Sequence, residues 1–157
     1  MTSITVRRPE FEWPADLRLI ADPDNPQQSC EIVGLSFTLP YLEPYLIRTM
    51  RVAMKEVDDD DLRADMKAFS GQEAQHFKNH AAINNIVRVQ LSDEAGTAMR
   101  DLEDRLEADY RRFTAEKSLA FNMAYAGGFE AMTFAFARSS MSPGARDGTV
   151  SKWTELM

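Results

Sequence analysis

The chain has 157 residues, 44% of them hydrophobic and 27% charged, with a formal net charge of −7. That length supports one domain with a real core and is too short for two, and an acidic chain without a cluster of Lys and Arg excludes a nucleic-acid footprint. The single cysteine, Cys30, has no internal partner, and residues 1–13 contain no apolar leader segment, so the expected compartment is the cytoplasm.

In chain order, residues 1–36 read as an irregular arm that packs Phe11, Trp13 and Leu17 onto the body. The stretch Asp22-Pro-Asp-Asn-Pro26 is turn chemistry. Residues 37–157 then read as an all-α bundle that holds a metal. A first helix is expected from about Thr38, a good N-cap with Pro40 in the first turn, and it carries Glu43, Ile47, Met50, Met54 and Val57 at spacings of four and three. The four aspartates Asp58–Asp61 resemble a metal cluster. Acidic residues also suit the positive end of a helix, so they are assigned to a solvated turn and helix start. The second helix brings Leu62, Met66, Phe69, Glu73, His76, His80 and Ile83 into one row, and the third, from Ser92, turns Met99, Leu102, Leu106, Tyr110 and Phe113 inward. A fourth covers about Ala115 to Arg138, with Met123, Gly127, Glu130, Phe134 and Ala137 as its inner row.

The stretch Ser118–Ala137 is nearly uncharged and about as long as a bilayer is thick. Asn122, Gly127–Gly128 and the mid-span carboxylate of Glu130 argue against a membrane span, and the apolar stretch fits the central helix of a soluble bundle. After Ser142-Pro-Gly144 a last helix can start near Thr149 or Ser151.

The chemistry lies in where the ionisable residues sit. Glu43, Glu73, His76 and Glu130 occupy rows that are otherwise Met, Phe and Ile, and no Lys or Arg shares those rows. A carboxylate taken from water without a partner costs several kcal/mol, so three in one core need compensation, which bound cations supply directly. Glu73 and His76 are three residues apart and project from one helix face. A Glu-x-x-His pair with single glutamates from neighbouring helices is how four-helix bundles hold two metals. Carboxylate with imidazole suits iron, manganese or zinc, with iron the first expectation. His80, one turn beyond His76, is a further candidate ligand or a group that supports one. The nine methionines are read as core filler.

Several segments carry a family resemblance. Val6-Arg-Arg-Pro9, Leu35-Ser-Phe-Thr-Leu-Pro40, Glu43-Pro-Tyr-Leu-Ile-Arg48 and Phe69-Ser-Gly-Gln-Glu-Ala-Gln-His76, with His80 and the later Gly-Phe-Glu130, resemble bacterial predicted metal-dependent hydrolases. The resemblance implies a ferritin-like helical metal site. In that family a Trp-His motif and a second Glu-rich, His-terminated segment follow a stretch like Lys152-Trp-Thr-Glu-Leu156, and here neither follows. The expectation is therefore a C-terminally truncated chain with one side of its ligand cluster open and with Trp153, Leu156 and Met157 poorly buried.

The function expected is a metal-dependent enzyme acting on a small-molecule substrate, with Glu43, Glu73, His76, Glu130 and His80 around the metal. The catalytic group stays unassigned, and so does the oligomeric state, homo-oligomers included. A di-iron oxidase or oxygenase is the alternative, and a non-catalytic helical binding or storage protein is the rival of another class.

Overall fold

Four helix starts are written in the sequence as caps, in which a side-chain oxygen accepts an N–H that the first turn leaves unpaired. Asn25 accepts from Gln28 at 3.3 Å, Asp59 from Leu62 at 3.0 Å, Ser92 from Ala95 at 3.2 Å and Ser118 from Phe121 at 3.2 Å. The computed structural model describes residues 4–140. In it these caps open α1 (Pro26–Ala53), α2 (Asp60–Arg88), α3 (Asp93–Glu116) and α4 (Leu119–Ser140), with one 3-10 turn at Met54–Glu56 and no strand among the described residues. The protein is all-α, as expected. The aspartate run is a helix start: Asp59 is the cap, and Asp60 and Asp61 lie in the first turn.

Helix α1 is the axis of the fold, packing against α2 most extensively, then against α3 and α4. Two buried clusters line it. Near its start, Ile32, Val33 and Phe37 meet Leu17 of the arm and Ile83 and Val87 of α2. Farther along, Leu39, Leu42, Tyr45 and Leu46 meet Tyr110 of α3 and Ala126 of α4. Tyr45 stacks on Tyr110 with ring centroids 4.9 Å apart and donates its hydroxyl hydrogen bond to Asn122 at 2.7 Å.

Several sequence-based expectations need correction. The first helix begins at Pro26, well before Thr38, and the irregular arm ends accordingly at Asn25. Thr38 does not cap; its hydroxyl donates to the Leu35 carbonyl at 2.7 Å, and Pro40 and Pro44 lie inside a continuous helix. Proline in a helix interior removes a hydrogen bond and is normally read as a boundary. Here Pro40 leaves the Ser36 carbonyl without its usual N–H partner, and the Asn84 side chain donates to that carbonyl instead, at 2.9 Å.

The fourth helix starts at Leu119, because Ser118 is its cap and α3 runs to Glu116. It is not the central helix. Its inner row is Asn122, Ala126, Glu130 and Thr133, while Gly127 and Phe134 of the expected row are exposed, Phe134 by 65%. A helix apolar on most faces offers no contrast from which to read the inner one. No described helix is long and apolar enough to cross a membrane. The expectations for the Ser151 helix and for Trp153, Leu156 and Met157 lie outside the described residues.

Candidate metal centre

Glu43 sits in the middle of α1 and is 1% exposed. The seven-residue step back along α1, two turns, reaches Ser36, which is also buried. Opposite them, α2 presents Glu73, His76, His80 and Asn84, spaced by three, four and four residues and so on one side of the helix. Helix α4 adds Glu130. One cavity of about 450 Å³ is lined by Glu43, Glu73, His76, His80 and Glu130 together, with Leu39, Leu42, Leu46 and Phe129 among its apolar walls. All five residues picked from the sequence therefore face one space.

The hydrogen bonds fix which nitrogen of His80 carries the proton. Asn84 Nδ2 donates to the Ser36 carbonyl, which leaves Asn84 Oδ1 as an acceptor, and the Ser36 hydroxyl donates to it at 2.7 Å. With its only proton given to Asn84, Ser36 Oγ must accept from His80 Nδ1, 2.8 Å away. His80 Nε2 then carries the lone pair, which accepts a hydrogen bond from His76 Nε2 at 3.0 Å. Burial, with the neighbouring His76 charge, pulls the His80 pKa down to about 3, so the ring is neutral at any physiological pH. A neutral imidazole held by its other ring nitrogen is the usual state of a metal ligand.

His76 is half exposed at the cavity mouth, and its Nδ1 lies 2.8 Å from Glu43 Oε1. That distance gives Coulomb attraction without hydrogen-bond geometry, and both carboxylate oxygens of Glu43 remain buried acceptors with no partner among the described residues. Burial raises the Glu43 pKa and the charge of Glu130 adds to the rise, which the His76 contact partly offsets. For His76, burial acts downward but is outweighed by its contact with Glu43 and by the charges of Glu73 and Glu130, so the net shift is upward. Glu73 is pushed up to about 7, first by burial and then by the charge of Glu130. Burial also raises Glu130, against the opposing charge of His76.

This is the pattern of a site short of positive charge. A donor atom each from Glu43, His76 and His80 lie within 4.8 Å of one another. The two Nε2 atoms are 3.0 Å apart, close enough to come within reach of one shared cation. The Glu43 oxygens without hydrogen-bond partners and the three clustered donors fit a divalent cation.

Reading the sequence missed Ser36 and Asn84, which orient His80. It also missed the buried Glu103 on α3, whose carboxylate is gripped by Arg88 Nη1 at 3.0 Å and Nη2 at 2.5 Å. The only available signal for Ser36 and Asn84 was their register with Glu43 and His80.

A family model described as "Predicted metal-dependent hydrolase" matches residues 5–157. No curated protein and no solved structure matches the chain.

Proposed function

The chain belongs to the family of predicted metal-dependent hydrolases, and from that premise we propose that it hydrolyses a small-molecule substrate at a carboxylate–histidine site for two divalent cations. Glu43, His76 and His80 would hold the first cation, and Glu73 and Glu130 would complete the second position. The observation that carries this proposal is Glu43, fully buried with both oxygens unpartnered beside two imidazoles. The half-exposed His76 is the only charged partner that the described residues bring to it, while three carboxylates line the same cavity. The donor set suits iron, manganese or zinc, with iron our first expectation, and the ferritin-like arrangement implied by the family resemblance belongs to the same proposal.

When bound, a divalent cation polarises a substrate oxygen and lowers the pKa of bound water toward neutrality. The rest is work for the chain. Asn84 and Ser36 hold the His80 proton at Nδ1, which keeps Nε2 available. Leu39, Leu42, Leu46 and Phe129 form apolar walls that strengthen the charge interactions beside them.

The test is hydrolysis of 4-nitrophenyl esters and phosphodiesters by the purified chain. Activity should vanish with a chelator and return with iron, manganese or zinc. Hydrolysis indifferent to the chelator would overturn the proposal. An oxygen-dependent absorption band from a two-iron sample without hydrolysis would favour a di-iron oxidase, the reading that the carboxylate-rich donor set also supports.

A further inference from the structure

The histidine pair borders a second cavity, of about 280 Å³, that the hydrolytic site leaves unexplained. It lies between α2 and the N-terminal arm, and its lining includes Arg7, Phe11, Trp13, Gln72, His76 and His80. The arm is fastened there. The Ile4 N–H donates to Asp65 at 3.2 Å and the Arg7 N–H to Gln72 Oε1 at 3.0 Å. Val6 packs over Gly71 so closely that an added Cβ would meet it at 3.1 Å. The Val6-Arg-Arg-Pro9 segment is thus held against the helix that carries the candidate ligands.

The charges of the two cavities differ. The first is lined by three carboxylates and no Lys or Arg, whereas Arg7 is the one Lys or Arg lining the second. Arg7 takes part in none of the ion pairs of the described residues. Gln72 spends its oxygen on the Arg7 N–H, so its amide nitrogen remains a donor. Phe11 and Trp13, with ring centroids 5.0 Å apart, form an apolar wall. A cation, an amide donor and an aromatic wall beside a hydrolytic centre recognise an anion attached to an apolar body.

We infer that the substrate carries an anionic group, carboxylate or phosphate, that Arg7 and Gln72 hold in this second cavity while the scissile bond lies at the histidine pair. The inference rests on the hydrolase reading for the scissile bond alone; anion capture by Arg7 is measured without turnover.

Calorimetric titration of the purified full-length chain with benzoate, phenyl phosphate and neutral benzamide is the test, with the metal content of each sample recorded. Benzoate or phenyl phosphate should bind and benzamide should not, and the tighter of the two anions identifies the group. Arg7→Gln should weaken that binding about tenfold, the loss expected for a charge-assisted contact, and Arg7→Lys should keep most of it. Benzamide binding as tightly as the anions, or neither anion binding, would overturn the inference. So would equal anion affinity in Arg7→Gln, which is the result expected if the anion sits on a metal instead. A chain that binds anions through Arg7 but, resupplied with iron, manganese or zinc, hydrolyses none of the 4-nitrophenyl substrates would sink the hydrolase reading and leave the anion cavity standing.

Discussion

Glu43 of α1 and Glu103 of α3 are both buried glutamates, at 1% and 6% exposure, yet they belong to different kinds of region. Glu103 is met by the Arg88 guanidinium through two hydrogen bonds, and Arg88 also stacks on Phe37 with its guanidinium carbon 4.7 Å from the ring centroid. That carboxylate is neutralised by the chain itself and belongs to the packing. Glu43 has no Lys or Arg beside it; its one charged neighbour is the half-exposed His76 at 2.8 Å, and neither of its oxygens accepts a hydrogen bond among the described residues. Burial of a carboxylate is therefore no sign of a site by itself. What matters is whether the protein supplies the counter-charge or leaves it to be brought in.

The largest effect that separates the two regions should be on metal affinity. Replacing His76 or His80 with Ala is expected to weaken it more than about 100-fold, since each removes a donor. Arg88→Ala should leave it unchanged, as seen by competition with a chromogenic chelator. On stability the order reverses. Breaking a buried pair leaves an uncompensated carboxylate and costs ~3–5 kcal/mol. Arg88 is 34% exposed, so water offsets part of the loss and about 2 kcal/mol is expected from denaturant unfolding.

A third comparison uses pH. Glu73 in the folded metal-free protein has its pKa raised to about 7 by burial and by Glu130, so the native state binds that proton more tightly than the unfolded chain does. Its contribution is full below the ordinary carboxylate pKa and is lost as pH rises through about 7. The metal-free protein should lose up to about 3 kcal/mol across that window, and Glu73→Gln should flatten the slope. A slope unchanged in Glu73→Gln would mean that Glu73 titrates in water. Asn84→Ala should cost about tenfold in metal affinity, through loss of the hold on Ser36 and His80, with chelator competition again the check. The smallest effect is Asp59→Ala. It should remove a helix cap worth about 1 kcal/mol from the melting transition and leave metal content untouched.

The candidate site was legible because its ionisable residues break apolar rows. Glu43, Glu73, His76, His80 and Glu130 stand where helical spacing calls for Met, Leu or Phe, and a polar residue at such a position is visible without coordinates. Glu103 was not legible. It sits in Asp101-Leu-Glu-Asp-Arg105, where every charged residue looks like surface. The α1 start was hidden by Pro40 and Pro44, whose local rule points to a boundary; tertiary packing and the Asn84 side chain override it. The face of α4 was hidden for the opposite reason, an excess of apolar residues. Asn122 was its best marker, because a buried amide must find partners and it finds Tyr45.

On the proposed reading Glu43 takes its remaining counter-charge from a divalent cation, whereas Glu103 already has the Arg88 guanidinium. Metal analysis of the purified wild-type chain, Glu43→Gln and Glu103→Gln tests this directly. Two divalent ions per chain are expected in the wild type and in Glu103→Gln, with a loss of at least one in Glu43→Gln. Equal metal content in the two variants, or a wild-type chain that takes up no divalent metal from a supplemented buffer, would contradict it.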